Sequence, residues 1–225
     1  MLDPNVRKAA VAAIDKKAIV DRLLSGYSVP IDTLETPEYD AYDVSIKTPY
    51  DPELAVKLLA ASGYLVDKPV KFTIQTTKDY MPKDYEMIQA IVGLWRKVGI
   101  EATIEIYEIA KHYELRTADK LAPAVFYNWS NSVGDPTTGT GFAMYGPSPH
   151  SVWESQDLID KINPLWGEKD EAKRIQGWKD VDRYIAENAY VIPLLQYVQP
   201  ILAAKGMVVT PHKSGALLPH LMKRA

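Results

Sequence analysis

Cysteine is absent from this chain of 225 residues. The absence excludes disulfide bonds, zinc–thiolate sites and a cysteine nucleophile. Long apolar runs are also missing, since no segment reaches the roughly 18 to 20 residues that a membrane-spanning helix needs. Residues 1–7 contain no apolar stretch of the kind that a secretory signal peptide requires. Two interpretations remain open at this point, namely a cytoplasmic protein or an internal piece of a longer chain.

The chain also has no large excess of positive or of negative charge. The formal net charge is −3, which provides no basic surface for nucleic acid. None of the histidines lies at the roughly three- to five-residue spacing that is typical of metal ligands. A composition of 47% hydrophobic and 24% charged residues is ordinary for a globular protein. We therefore predict a globular chain that binds no nucleic acid, spans no membrane and carries no metal or cofactor.

The order of hydrophobic patterns predicts an α/β fold. Apolar residues recur at helical spacing after Asp3, Asp15 and Asp51, each of which is suited to cap a helix. Further helices are predicted at 83–98, 110–117, 156–165 and 168–188, and strands at 70–74, 100–106, 124–127 and 191–197. Alternating strands and helices between residues 70 and 127 are typical of parallel βαβ units with right-handed crossovers.

Two long segments, 27–50 and 130–153, are rich in turn-forming residues. The first also contains several tyrosines, so it either lines a cleft or covers the core. Loops of this length are uncommon inside a compact domain and are often functional.

A polar segment follows the predicted strand at 124–127 directly. Ligands of open α/β sheets bind outside the carboxyl ends of the strands, which is where this segment would lie. Trp129 offers a flat face for stacking, and its neighbours offer short hydrogen-bonding groups. An ordinary strand end with Trp129 in the core fits the same pattern equally well. The candidate ligand-binding residues are Tyr127, Asn128, Trp129, Ser130, Asn131, Ser132 and Asp135.

Several local motifs occur in an order that resembles one known family. They are Val6–Ala10 leading to Ala13–Lys16, Tyr50–Ala55 with Leu58–Leu59 and Ser62–Tyr64, Leu94–Ile100, Asn128-Trp129 with Asp135-Pro136, and Ile192–Leu194. Together they resemble the C-terminal half of the family 5 extracellular solute-binding proteins. These are the peptide-, oligopeptide- and nickel-binding components of ABC importers. The resemblance extends roughly from Asp3 to Gln199.

The resemblance implies a type II periplasmic-binding-protein lobe, with a mixed, mostly parallel sheet flanked by helices. Residues 1–190 would form the C-terminal ligand-binding lobe, and residues 191–225 would cross back towards an N-terminal lobe. Full members of the family are more than twice this long and carry a signal peptide. We therefore expect a truncated piece whose parent is periplasmic, or extracellular and lipid-anchored. Its partners would be a small solute and the permease subunits of an ABC importer.

One position departs from the pattern of the peptide-binding members. In those members, the loop after a Gly-Trp pair usually holds an aspartate that pairs with the ammonium of the peptide. Counting from Trp129 and from Asp135, that place falls on Ser132, which carries no charge. A buried ammonium without its carboxylate would be poorly compensated. The departure favours an uncharged ligand, such as a modified or N-blocked peptide or a short oligosaccharide.

Two other classes of protein are alternatives to a solute-binding protein. A glycoside hydrolase would need two carboxylates with separated pKa values, for which Glu105, Glu108 and Asp135 are the candidates. A purely structural domain would respond to no ligand at all. His112 precedes the polar segment and would face either the cleft or solvent. We predict a solute-binding protein that captures its ligand and is not an enzyme.

Overall fold

The computed structural model describes residues 3–212 and 214–224. Its helices are α1 (Pro4–Ala12), α2 (Lys16–Leu23), α3 (Pro52–Ala61), α4 (Asp84–Val98), α5 (Ile109–Thr117), α6 (Phe142–Met144), α7 (Gln156–Gly167) and α8 (Glu171–Glu187). A π-helical turn (Thr137–Gly141) leads directly into α6. Its strands are β1 (Val29–Pro30), β2 (Val70–Thr76), β3 (Ile100–Ile106), β4 (Ala124–Val125), β5 (Leu195–Gln196), β6 (Met207–Val209) and β7 (Met222–Arg224). No helix within these residues is long and apolar enough to cross a membrane.

The three predicted aspartate caps are present. Asp3, Asp15 and Asp51 each accept a backbone N–H from the first turn of α1, α2 and α3. A cap of this kind satisfies donors that have no partner inside the helix. The helix α4 ends at Gly99, whose φ of 103° is left-handed. A Cβ at this position would lie 3.0 Å from a backbone oxygen of Leu65, so both geometry and space favour glycine.

The predicted parallel sheet is confirmed. The strand β2 lies in the centre, with β3 and β4 parallel to it on either side. Ile74 of β2 is in register with both Ile104 and Ala124. The helix α4 crosses from β2 to β3 and packs on the sheet, which makes the βαβ unit. The carboxyl ends of all three strands therefore lie along one edge.

Two strand predictions were inaccurate. The predicted strand at 191–197 is reduced to β5, because Pro193 has no N–H to donate to a ladder. This strand pairs antiparallel with β1, which lies in a segment predicted to be loop throughout. The short hairpin of β6 and β7 was not predicted, because its strands are too short for an alternation of apolar and polar residues to be recognised.

The buried side chains form two hydrophobic clusters. The first core lies between the sheet and helices α1 to α4, and its centre includes Leu59, Ile88 and Ile100. The second core lies between α6, α7 and α8, and its centre includes Ile162 and Trp178. The segment 31–48 covers this second core, since its Leu34 and Ala41 pack there.

Arg7 of α1 joins the two cores. Its guanidinium lies 5.3 Å from the ring centre of Trp153 and 5.2 Å from that of Tyr190, both of which pack on the second core. The same group donates to the backbone oxygen of Asn188 at 3.1 Å. A cation is stabilised on the faces of these rings, so Arg7 holds the first helix against the second core.

Candidate functional site

The polar loop of residues 128–136 leaves the carboxyl edge of the sheet directly after β4. Its tryptophan, Trp129, is half-buried and packs against the second core. The indole Nε1 of Trp129 donates to the backbone oxygen of Thr138 at 3.2 Å. The ring is therefore fixed from one side and stays partly accessible.

Asn131 is the centre of the polar loop. Its Nδ2 donates to the backbone oxygen of Asp135 at 3.0 Å and to the Glu35 carboxylate at 3.3 Å. Its Oδ1 accepts from the Gly134 N–H at 2.8 Å and from the Thr138 hydroxyl at 3.0 Å. All four hydrogen bonds of the Asn131 side-chain amide go to the loop itself or to residues packed against it, so this amide holds the loop in shape.

Asp135 is held by its own turn and by α8. Its carboxylate accepts from the Thr137 N–H at 2.9 Å and from the Thr137 hydroxyl at 2.6 Å. Arg174 of α8 forms an ion pair with it at 3.0 Å. Partial burial raises the pKa of Asp135, but the bonds from Thr137 and Arg174 outweigh this and leave it below its ordinary value. The only carboxylate of the polar loop is therefore ionised and already paired.

The remaining predicted residues differ in exposure. Ser130 and Ser132 are exposed at the tip of the loop, together with Val133. Asn128 is half-buried, and within the described residues its Oδ1 has no hydrogen-bond donor. The structure thus brings one aromatic face and several short neutral polar groups together at this edge.

Tyr127 belongs to an aromatic cluster that was not predicted from the sequence. Its ring stacks on His112, with centres 4.4 Å apart, and lies parallel to Tyr80 at 6.4 Å. Its hydroxyl donates to the Tyr113 hydroxyl at 2.8 Å. Burial and the Tyr113 bond raise the pKa of Tyr127 above its ordinary value. Tyr80 lies in the loop after β2, and Tyr113 lies in α5, which follows β3. Their only signal in the sequence is that each comes in the segment that follows a strand.

His112 is buried, which corrects the expectation that it faces either the cleft or solvent. It is 1% exposed and lies beneath Tyr127. Gln75 Nε2 lies 2.9 Å from its Nδ1, so Nδ1 accepts and Nε2 carries the proton. Burial, together with the nearby charge of Arg116, lowers the pKa of His112. The imidazole is a neutral support for the Tyr127 ring.

Asp84 holds the loop that presents Tyr80. Its buried carboxylate accepts the backbone N–H groups of Asp79, Tyr80, Met81 and Tyr85 at 2.8 to 3.1 Å, and the Thr77 hydroxyl at 3.0 Å. Burial raises the pKa of Asp84, but these donors outweigh it and keep the pKa below its ordinary value. The sequence offered no signal for this role, because the donors are backbone groups.

The carboxylates considered for a hydrolase do not form a pair. Glu105 and Glu108 are exposed, and Glu105 accepts the Tyr107 hydroxyl at 2.9 Å. Asp135 is paired with Arg174 instead. This arrangement gives the hydrolase alternative no support.

A parallel sheet flanked by helices, with a polar loop at its carboxyl edge, defines a type II periplasmic-binding-protein fold. Solved structures of this fold support the assignment. HbpA2 from Haemophilus parasuis matches with a TM-score of 0.86 at 20% identity, over 99% of this chain and 45% of that one. The periplasmic binding protein DppA from Helicobacter pylori, in complex with the peptide STSA, matches with a TM-score of 0.74 at 23% identity, over 86% of this chain and 38% of that one.

The chain belongs to the bacterial extracellular solute-binding proteins, family 5 Middle, whose model matches residues 1–151. The dipeptide-binding protein of Escherichia coli (strain K12) is 28% identical over 222 residues, which is 93% of this chain and 41% of that protein. Heme-binding protein A of Haemophilus influenzae is 27% identical over 199 residues, which is 86% of this chain and 36% of that protein. The chain thus spans less than half the length of these relatives.

Proposed function

We propose that this chain is the C-terminal ligand-binding lobe of a two-lobed solute-binding protein that captures a peptide-like or other polar small solute for an ABC importer. Residues 1–190 form the lobe in this proposal, and residues 191–225 cross back towards the other lobe. The observation that carries the proposal is the polar loop, which is fixed internally and presents neutral polar groups beside Trp129 at the carboxyl edge of the sheet. Ligands of open α/β sheets bind at such an edge.

Each predicted residue has a role in this proposal. Trp129 stacks on the ligand, and Tyr127 extends the aromatic surface. Asn128, Ser130 and Ser132 bond the ligand with their side chains. Asn131 and Asp135 hold the loop in shape, since both are already bonded within it or to α8. The backbone oxygen of Asn131 also accepts the Tyr39 hydroxyl at 2.9 Å, so Asn131 supports the ligand-binding residues beside it.

The charges of the loop favour an uncharged ligand group. Ser132 has no charge, and Asp135 is neutralised by Arg174. An ammonium placed here would lack a free carboxylate, and a buried charge without a partner is costly. A blocked or modified peptide therefore fits better than one with a free amino end. The relatives named above are called dipeptide- and heme-binding proteins, and neither name supports the oligosaccharide alternative.

Capture without catalysis is the mechanism in this proposal. Two lobes close around the solute by a hinge, and the permease subunits recognise the closed state. The location would be the periplasm, since a further relative is named the periplasmic oligopeptide-binding protein OppA of Haemophilus influenzae.

The test uses the full-length parent protein purified from the periplasm. Native mass spectrometry is expected to reveal a bound solute, which is then used in calorimetric titrations. Trp129→Ala is expected to weaken affinity at least tenfold, or about 1.4 kcal/mol. Trp129→Phe keeps a flat ring and is expected to retain most of the affinity. Unchanged affinity in Trp129→Ala, in a protein with a normal melting temperature, would refute the role of this edge.

A further inference from the structure

Two buried carboxylates lie behind the polar loop. Glu35 of the segment 31–48 and Asp182 of α8 are each 1% exposed. The Glu35 N–H lies 3.4 Å from Asp182 Oδ2, so the two residues are direct neighbours. No ion pair within the described residues involves either of them. Two negative charges buried together without a cation are strongly unfavourable.

The two carboxylates are not equally satisfied. Glu35 accepts from the Thr140 N–H at 3.2 Å, from the Thr140 hydroxyl at 2.8 Å and from Asn131 Nδ2 at 3.3 Å. Asp182 Oδ1 is buried without a hydrogen-bond donor in the described part of the chain. A proton stabilises the two carboxylates most when it is bound to a buried oxygen that accepts no hydrogen bond. We therefore place the proton on Asp182.

The other charged groups around this pair do not replace the proton. Asp135 faces Glu35 from the polar loop, and the Tyr39 phenol faces Glu35 from the segment 31–48. Asp135 adds negative charge, and the phenol of Tyr39 stays neutral because burial raises its pKa. The cations on α8 are directed elsewhere, with Arg174 on Asp135 and with Lys179 and Arg183 on Asp43. Of the two aspartates of α7, Asp157 accepts two tyrosine hydroxyls, and Asp160 accepts from Gln156 at 2.7 Å at the surface.

We propose that Glu35 and Asp182 share one proton at neutral pH, and that loss of this proton loosens the polar loop and the π-helical turn after it. The mechanical link is Glu35, whose carboxylate bonds both ends of that stretch through Asn131 and Thr140. Gly139 packs directly against Glu35, since a Cβ there would lie 2.7 Å from Glu35 Oε1. Repulsion from an ionised Asp182 would therefore act on the stretch that carries the candidate ligand residues.

The electrostatics agree with this geometry. Burial, together with the charge of Glu35, raises the pKa of Asp182 to about 7. The pair titrates as one unit with one proton near neutrality. A carboxyl whose pKa is raised by folding stabilises the fold fully below its unfolded value. That contribution is lost progressively as the pH rises from the unfolded value of about 4 to the folded value of about 7, and above 7 it changes no further. The window of interest is therefore about pH 4 to 7, and comparison with a variant that lacks the Asp182 carboxyl separates this contribution from that of His112, whose pKa is lowered.

The test needs only this chain and no ligand, so its result is independent of the proposed solute capture. Thermal and denaturant unfolding of the chain are compared between about pH 4.5 and 8 with those of Asp182→Asn. Relative to Asp182→Asn, the ratio of folded to unfolded protein in the unaltered chain is expected to fall by up to about tenfold per pH unit between about pH 4 and 7, and to fall no further above 7. Asp180→Asn, on the exposed face of the same helix, is the control and should leave this dependence intact.

Hydrogen exchange, corrected for intrinsic rates, provides the local measurement. Amides of residues 131–141 are expected to lose protection between about pH 5 and 8 in the unaltered chain and to keep it in Asp182→Asn. If Asp182→Asn does not fold, Glu35→Gln serves instead, because removing the like charge should move the transition to lower pH. A stability difference between the unaltered chain and Asp182→Asn that stays constant between about pH 4.5 and 7 would refute the shared proton. A global pH dependence without selective loss of protection at 131–141 would refute the link to the loop.

Discussion

Asp84 and Asp182 are both buried, at 2% and 1% exposure, yet their surroundings shift their pKa values in opposite directions. Asp84 lies at the end of the first core and accepts four backbone N–H groups and a hydroxyl. Asp182 lies beside the second core, next to Glu35, and one of its oxygens has no donor in the described residues. The pKa of Asp84 is therefore lowered, and that of Asp182 is raised to about 7. Hydrogen-bond donors outweigh burial at Asp84, whereas at Asp182 burial and the charge of Glu35 prevail over the few donors present.

Removal of Asp84 should give the largest effect and would sharpen this comparison most. Asp84→Ala leaves several backbone donors of the loop 77–83 without an acceptor, so we expect a loss of about 3 to 5 kcal/mol in the free energy of unfolding. Urea denaturation at pH 7 measures it. Glu86→Ala, on the same helix, should change stability very little, because the ion pair of Glu86 with Lys83 lies at the surface. A small loss of stability for Asp84→Ala would contradict the comparison, because the hydrogen bonds to the carboxylate would then contribute little to stability.

The pH dependence of the same variant has a definite sign. Because folding lowers the pKa of Asp84, its contribution is present above the unfolded value and is lost as the pH falls through the lowered value. Asp84→Ala should therefore flatten the acid side of the stability profile below about pH 4. Asp182→Asn should instead remove a decline in stability between about pH 4 and 7.

Arg7 joins the two regions and should give the next largest effect. Arg7→Gln removes the cation from Trp153 and Tyr190 and a charged donor from Asn188. We expect a loss of about 2 kcal/mol. Broadening of the thermal transition by calorimetry would show that the two cores have become partly independent. Arg22→Gln, at an exposed position of α2, is the matched control.

Asp157 is a second aspartate whose pKa is lowered by hydrogen bonds, here from side-chain hydroxyls. It accepts hydroxyls of Tyr184 and Tyr190, and burial, which raises the pKa, is outweighed by bonds that lower it to about 2. Asp157→Asn should cost about 1 to 1.5 kcal/mol at pH 7. The difference from the unaltered chain should shrink as the pH falls from 4 towards 2. A difference that stays constant over this range would show that charge is not involved.

Asp51 is an aspartate whose carboxylate caps a helix with one bond, and its loss should have the smallest effect. Asp51→Ala removes the bond to the Leu54 N–H at the start of α3 and should cost about 1 kcal/mol. Asp51→Ser retains a cap and should recover most of that loss. Chemical denaturation of the two variants side by side measures the difference.

The sequence determined the parts of this protein that local rules control. The aspartate caps, the glycine ends and the alternating βαβ order were predicted because each depends on neighbours within a few residues. The polar loop after β4 was predicted for the same reason. The roles of Asp84, Glu35 and Asp182 were not, since Glu35 and Asp182 are 147 residues apart in the chain.

Only the tertiary structure decided which polar groups became partners. It buried His112 beneath Tyr127, gave the side chain of Asn131 to the loop, and paired Asp135 with Arg174. It also placed Glu35 against Asp182 without a cation. Local periodicity can indicate that a residue is buried, but the charge of a buried group depends on donors brought from distant segments. The sequence therefore determined the framework and the place of the candidate site, and the fold decided its electrostatics.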